Sequence, residues 1–300
     1  MKMPLAGMYA ALMTGLSDNG DFDPGRQRAI DAYVLAQGLT GLYVGGSSGE
    51  SGLLTVDELL AQQAVAAESA RGSGATLIAH VGFANLRDSI RLARNAEALG
   101  YHGLSALPPH AYPFSDDEIF GYYEALAAAT ELPMIVYEVP VRTGRPIPSE
   151  TLGRILELRG VAGIKFTSTD LFKFSVLKAR YPGSTFFFGF DEIYLAGGAL
   201  GAHGGIGTTY NLLGRLYVAL HRAIAAGDLA AAQRLQAVSR RFVEVLMQTG
   251  VLPGMKAALR LRGIDCGPTR LPMAPGVADC EARIQAALDD PALEEWLLPR

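Results

Sequence analysis

The chain has 300 residues, 49% apolar and 19% charged; a chain of this size buries roughly three quarters of its unfolded surface, which excludes a disordered tail or a disulfide-stapled miniprotein. Its 26 Lys and Arg against 30 Asp and Glu leave a formal net charge of −4, without the basic footprint of a nucleic-acid binder, so neither DNA nor RNA is expected as a partner. Two cysteines, Cys266 and Cys280, lack C-x-x-C spacing, which argues against a zinc site or redox pair and fits a reducing cytoplasmic compartment.

The N-terminal stretch Met1-Lys2-Met3-Pro4-Leu5 is interrupted by Pro4 and then Gly7 before an apolar segment develops, so no signal peptide is expected. No apolar run of about eighteen residues escapes Gly, Pro or charge, so no membrane span is expected either. Short, β-rich apolar runs follow at 8–13, 41–44, 76–81, 103–107, 134–137, 161–165, 185–188 and 204–207. Their apolar residues are mostly continuous rather than alternating, as suits parallel strands buried on both faces.

Helical patterns separate these runs, and several have readable starts. Asp23-Pro24 supplies a cap and a first position, Thr55-x-x-Glu58 and Ser115-x-x-Glu118 have capping-box spacing, and Ser149-Glu150 precedes another amphipathic run. Eight strands alternating with helices over some 220 residues predict an α/β fold, a (β/α)8 TIM barrel. The rival, a doubly wound open sheet, usually carries a G-x-G-x-x-G turn after its first strand; here that strand runs into Thr14-Gly15-Leu16-Ser17. Beyond residue 210 the pattern turns to Ala- and Leu-rich helices at 215–226, 229–249 and 255–261, then a Pro-containing stretch from Gly267 and a last helix near 280–288. The division expected is a barrel over 1–225 carrying the active site and a helical extension over 226–300 packed against it.

In such a barrel the active site lies at the C-terminal ends of the strands. Lys165 ends the run Val161-Ala162-Gly163-Ile164 and is one of only five lysines, against 21 arginines. Desolvation in a barrel mouth would free its amine to form a Schiff base with a carbonyl; the plainer alternative is a strand-end lysine snorkelling to solvent. Tyr137 ends the preceding run and would stand beside Lys165 as a proton carrier, or serve only in packing. Gly45-Gly46-Ser47-Ser48-Gly49-Glu50 offers backbone N–H groups and two hydroxyls to a carboxylate or phosphate, but lacks the lysine of a P-loop. Asp191-Glu192 follows the seventh run and would accept hydrogen bonds from sugar hydroxyls, act as acid and base, or simply cap the next helix. His80 is read as a core or supporting residue, the other histidines form no metal cluster, and Arg142 and Arg145 would reach a substrate carboxylate or remain solvated.

Five stretches taken together are specific: Tyr43-Val44-Gly45-Gly46-Ser47-Ser48-Gly49-Glu50, Val136-Tyr137-Glu138-Val139-Pro140, Gly163-Ile164-Lys165-Phe166-Thr167-Ser168, Gly189-Phe190-Asp191-Glu192, and Gly205-Ile206-Gly207-Thr208-Thr209-Tyr210-Asn211. From residue 6 to about 260 the chain resembles the N-acetylneuraminate lyase and dihydrodipicolinate synthase superfamily of class I, pyruvate-dependent aldolases, and most closely its sialic acid lyase branch. The resemblance implies that Lys165 forms the pyruvate imine, Tyr137 shuttles the proton, and Ser47 and Ser48 hold the pyruvate carboxylate. It further implies that Thr167, Gly189, Asp191, Glu192, Gly207 and Thr208 line the sugar end, with no metal or organic cofactor. A homotetramer acting on pyruvate and a sugar acid is the implied assembly. Two positions depart from the family pattern: Ala111 stands where a tyrosine usually reaches into a neighbouring subunit's site, and Arg142 is similar to the synthase branch, where it helps bind a substrate carboxylate. Activities of other kinds remain open on this footing: a dihydrodipicolinate-type synthase, another 2-keto-3-deoxy sugar acid aldolase, or a non-enzymatic sugar-acid-binding regulatory barrel.

Overall fold

The β-branched and aromatic residues that crowd the short apolar runs favour extended backbone that can be covered on both faces. In the computed structural model, which describes residues 5–299, those runs form strands and the segments between them form helices. Residues 1–4 of the stretch read as lacking a signal peptide lie outside the described residues, as does residue 300 at the end of the expected extension.

The order is β1 (Gly7–Ala11), α1 (Pro24–Leu35), β2 (Gly41–Val44), α2 (Val56–Ser69), β3 (Thr76–His80), α3 (Leu86–Ala98), β4 (Gly103–Ala106), α4 (Asp116–Ala127), β5 (Met134–Glu138), α5 (Pro140–Thr143), α6 (Ser149–Leu156) and β6 (Val161–Phe166). It continues with α7 (Leu171–Arg180), β7 (Thr185–Phe188), α8 (Tyr194–Ala199), β8 (Gly204–Gly207), α9 (Tyr210–Ala225), α10 (Leu229–Thr249), α11 (Val251–Leu261), α12 (Cys280–Leu288) and α13 (Pro291–Glu294). All eight strands pair in parallel and in sequence order, and β8 closes on β1. The molecule is a (β/α)8 TIM barrel with added C-terminal helices. No helix among the described residues is long and apolar enough to cross a membrane.

Helix starts follow the capping chemistry. Asp23 accepts from the N–H groups of Gly25 and Arg26, and both Thr55–Glu58 and Ser115–Glu118 form reciprocal capping boxes, each worth on the order of 1 kcal/mol. Ser149 is the first helical residue, preceded by Pro148 with no side-chain cap. Two helices start earlier than the sequence pattern suggested. Helix α9 begins at Tyr210 rather than 215, because a kink at Leu213 (φ −112°) breaks the period of its first turn. Helix α11 begins at Val251 rather than 255, because Pro253 sits in the first turn, where a missing N–H costs nothing. The short α5 and α13 were not foreseen.

Strand parity divides the core in two. Tyr9, Ala11, Tyr43, Ile78, Ile135, Phe187 and Ile206 pack together inside the barrel. Their strand neighbours, such as Ala10, Leu42, Val44, Val136, Ile164 and Phe186, belong to the larger core shared with the helices. Because Ile135 points inward, so does Tyr137 two residues on, and the register pairs Tyr137 with Lys165 and Lys165 with Phe187. The chemistry-bearing side chains thus stand at the open end of the barrel's own interior.

Candidate active site

Lys165 is buried, 4% exposed, at the inward end of β6. Its Nζ lies 4.2 Å from the centroid of the Tyr43 ring and 4.1 Å from that of Tyr137. Burial disfavours the ammonium and brings the pKa down to about 7; the Asp191 carboxylate opposes that shift and the Arg142 guanidinium adds to it. The lysine is therefore not a solvent-facing cation but an amine that is substantially unprotonated near neutrality, held against two aromatic faces.

Tyr137 is also buried. Desolvation raises its phenol pKa, while the Arg142 charge and the hydroxyls of Thr167 and Ser47 act in the opposite direction. His80 stands edge-on to the Tyr137 ring, centroids 6.0 Å apart. Its Nδ1 lies 3.0 Å from the Gly45 carbonyl, which can only accept, so the proton sits on Nδ1 and Nε2 accepts from the Leu107 N–H at 3.4 Å. With burial and Lys165 bringing its pKa down to about 3, His80 is a neutral spacer, as the reading of a supporting residue expects.

The turn after β2 forms a short 3₁₀ segment, Ser47–Gly49. Thr14 Oγ1 donates to the Gly49 carbonyl at 2.6 Å and in turn accepts from Gln62 Nε2 at 2.8 Å. Ser48 and Thr208 hydroxyls meet at 2.6 Å across the barrel mouth. Ser47, Ser48, Tyr137, Arg142, Lys165, Thr167, Gly189, Asp191, Glu192 and Thr208 all line one cleft of about 210 Å³. Ten of the eleven residues singled out in the sequence are thereby brought together.

Gly207, the eleventh, packs beneath them. A Cβ there would stand 2.1 Å from Asp191 Oδ1 and 2.3 Å from the Tyr210 ring, and one on Gly189 would stand 1.8 Å from Thr167 Oγ1; both positions exclude a side chain. Asp191 Oδ2 accepts from the Thr209 N–H at 2.8 Å and from its hydroxyl at 2.7 Å. The N-cap of α8 is Ile193, with no side-chain bond, so neither acid caps the helix that follows; Asp191 instead takes the N–H at the start of α9. Burial lifts the Asp191 pKa to about 6, against the pull of the Thr209 bonds. Asp191 Oδ1 is buried without a hydrogen-bond partner, and Thr167 Oγ1 has only the Tyr137 hydroxyl near it. Such polar atoms at the wall of a cleft are suited to a hydroxylated ligand.

No group of three His, Cys, Asp or Glu among the described residues is placed to hold a metal ion. The cleft brings together a deprotonatable amine, an adjacent phenol, and hydroxyl and carboxyl groups to either side. A model of the dihydrodipicolinate synthetase family matches residues 4–290. The chain belongs to that family. Among its members the chain is 42% identical over 271 residues to the N-acetylneuraminate lyase of Rhizobium meliloti (strain 1021), covering 90% of each chain. It is 37% identical over 277 residues to that of Enterobacter sp. (strain 638), covering 92% of this chain and 93% of the relative. It is similar in structure to CdNal from Clostridium difficile in complex with mannosamine, with TM-score 0.92 at 27% identity, covering 98% of this chain and all of the other. The N-acetylneuraminate lyase of Fusobacterium nucleatum complexed with pyruvate gives TM-score 0.90 at 30% identity, covering 98% and 97%.

Three features of this family member escaped the sequence reading. Tyr43, one face of the lysine cage, was quoted only within a motif; its inward parity in β2 was the available signal. Thr209 likewise stood only within a motif, without a role. One wall of the cleft, Val243, Leu246, Met247 and Val251, comes from α10 and α11, where helical periodicity gives no hint of which face meets a ligand.

Proposed function

We propose that the chain is a Schiff-base aldolase that cleaves N-acetylneuraminate, or a closely similar sugar acid, to pyruvate and an aldose, N-acetylmannosamine for the former. The observation that carries this reading is the Lys165 amine, brought down to about pH 7 and caged by Tyr43 and Tyr137. Its lone pair adds to the C2 carbonyl of the open-chain acid, and loss of water leaves a protonated imine on Lys165. The C3–C4 bond then breaks: its electrons enter the iminium to give an enamine, and the C4 hydroxyl becomes the aldose carbonyl. Tyr137, kept a phenol by burial, takes the proton of the C4 hydroxyl as it passes its own on, and the net transfer ends with that proton on C3 of the enamine. Hydrolysis then releases pyruvate and restores the amine. The imine is itself the electron sink, so the reaction calls for no metal or organic cofactor.

Ser47 and Ser48 hold the carboxylate. Thr167, Asp191, Glu192 and Thr208 take the polyhydroxyl tail, with Gly189 and Gly207 leaving room for Thr167 and Asp191. Arg142, at the exposed rim, adds positive potential for the incoming acid. On the resemblance, we read the assembly as a homotetramer, the compartment as the cytoplasm, and residues 226–300 as an extension of the barrel rather than an independent unit.

The test is pyruvate release from N-acetylneuraminate, coupled to lactate dehydrogenase, together with borohydride trapping of pyruvate on the protein. Release and a trapped adduct are expected, both absent from Lys165→Ala. A trapped adduct without release would point to another aldehyde partner, aspartate semialdehyde being the one to try because Arg142 favours a carboxylate. Pyruvate binding without an adduct would mean a binding barrel, and the aldolase reading would fail.

A further inference from the structure

Glu50 has φ 60° and is the single non-glycine with positive φ among the described residues. A side chain in the left-handed region is strained and persists only where its surroundings hold it. Here they do so from a distant part of the chain. Glu50 Oε1 lies 2.7 Å from Lys256 Nζ of α11, with the two side chains 0% and 3% exposed. Oε2 accepts from the Arg270 N–H at 2.7 Å, and Lys256 donates to the Pro268 carbonyl at 2.6 Å. The Arg270 side chain fixes that segment to the first two strand-to-helix loops, bonding Glu58, the Leu53 carbonyl and the Gly20 carbonyl. Glu50 closes the Ser47–Gly49 turn through its own N–H to the Ser47 carbonyl.

We infer that Glu50 and Lys256 are positioning residues, through which the C-terminal extension holds the Ser47 and Ser48 hydroxyls in place for a substrate carboxylate. This rests on the aldolase reading of the same site. Neither side chain of the pair lines the cleft with Lys165; both act through the backbone. A buried ion pair is poor at adding stability compared with apolar packing but good at fixing one arrangement. The arrangement fixed here is the strained turn that presents the two serines. Releasing it lets Glu50 relax to negative φ and moves Ser47 and Ser48 while leaving Lys165, on β6, where it is.

The experiment measures borohydride trapping against pyruvate concentration. Either single change strands a buried charge, so the working variant is Glu50→Gln combined with Lys256→Met, which removes both charges at similar volume. Its half-saturating pyruvate concentration is expected to rise at least about tenfold, as misplaced binding groups do, with the trapping rate at saturation near that of the parent. Arg270→Ala, at a partly exposed position, loosens the same anchor and is expected to raise half-saturation about threefold. A merely structural role would lower the melting temperature and leave half-saturation unchanged. Folded variants with parental half-saturation overturn the inference, and Arg270→Ala decides alone if the double variant does not fold. A parent that pyruvate does not trap would sink the aldolase reading and this inference together; a trapped parent with unchanged variants sinks this inference only.

Discussion

At Lys165 function and stability oppose one another. The folded protein holds this side chain with a pKa of about 7, against about 10.4 for an unfolded lysine. Between those values the unfolded chain binds more protons than the folded one, so stability rises with pH across that window; below about 7 the whole penalty of burying the ammonium is present. Replacing the amine with an isosteric apolar group removes the penalty. Lys165→Met is expected to abolish imine formation and to stabilise the fold, by about 3 kcal/mol more at pH 6 than at pH 9. Thermal melts at the two pH values check this, and an equal gain at both would mean that the amine is not desolvated. For turnover the sign is the same: kcat/KM of the parent is expected to climb through about pH 7 as the amine is freed. Lys165 and Tyr137 were legible because each ends an apolar run on neighbouring strands. Tyr43 was not, because a tyrosine inside a four-residue strand reads as core until the opposite side of the barrel is known.

Neighbouring residues of one strand serve different ends because side chains alternate across it. In β5, Tyr137 faces the barrel interior and the cleft, whereas Glu138 faces the helices, 2.9 Å from Lys173 Nζ of α7 and accepting from the Ile147 N–H just before α6. Removing one partner of a buried pair leaves the other charge uncompensated, at a cost of about 3 kcal/mol. Glu138→Ala is expected to lose about that much in urea unfolding with kcat close to parental. Tyr137→Phe should instead keep stability and lose about a hundredfold or more in kcat. Similar kinetic losses in both would mean that strand parity does not separate the roles. At this scale the sequence was most informative: continuous apolar runs marked every strand, and capping chemistry marked α1, α2 and α4. It was least informative where local pattern and helix disagree, at the kinked start of α9 and at Pro253 in α11, since a period broken within one turn looks like a loop.

For the molecule as a whole, the barrel mouth is completed by segments far along the chain. Val243, Leu246, Met247 and Val251 wall the cleft, and Gln236 of α10 reaches the loop after β7, donating to the Asp191 carbonyl at 3.0 Å and accepting from the Leu195 N–H at 2.7 Å. Ser239 donates to the same carbonyl, and the Tyr217 hydroxyl spans Ser239 and Thr209 at 2.7 Å to each. The helix thus steadies Asp191 through its backbone, at the end of the cleft we propose for the sugar. Gln236→Ala leaves the Leu195 N–H unpaired and the Asp191 carbonyl with Ser239 alone, at about 1 kcal/mol in stability, and loosens the loop that carries Asp191. Its expected signature is split. KM for the sugar acid should rise about tenfold, while the half-saturation for trapping pyruvate on Lys165 stays parental. Loss of pyruvate trapping in the folded variant would show that α10 acts on the barrel as a whole. An unchanged KM for the sugar acid would show that Asp191 holds its place without the extension.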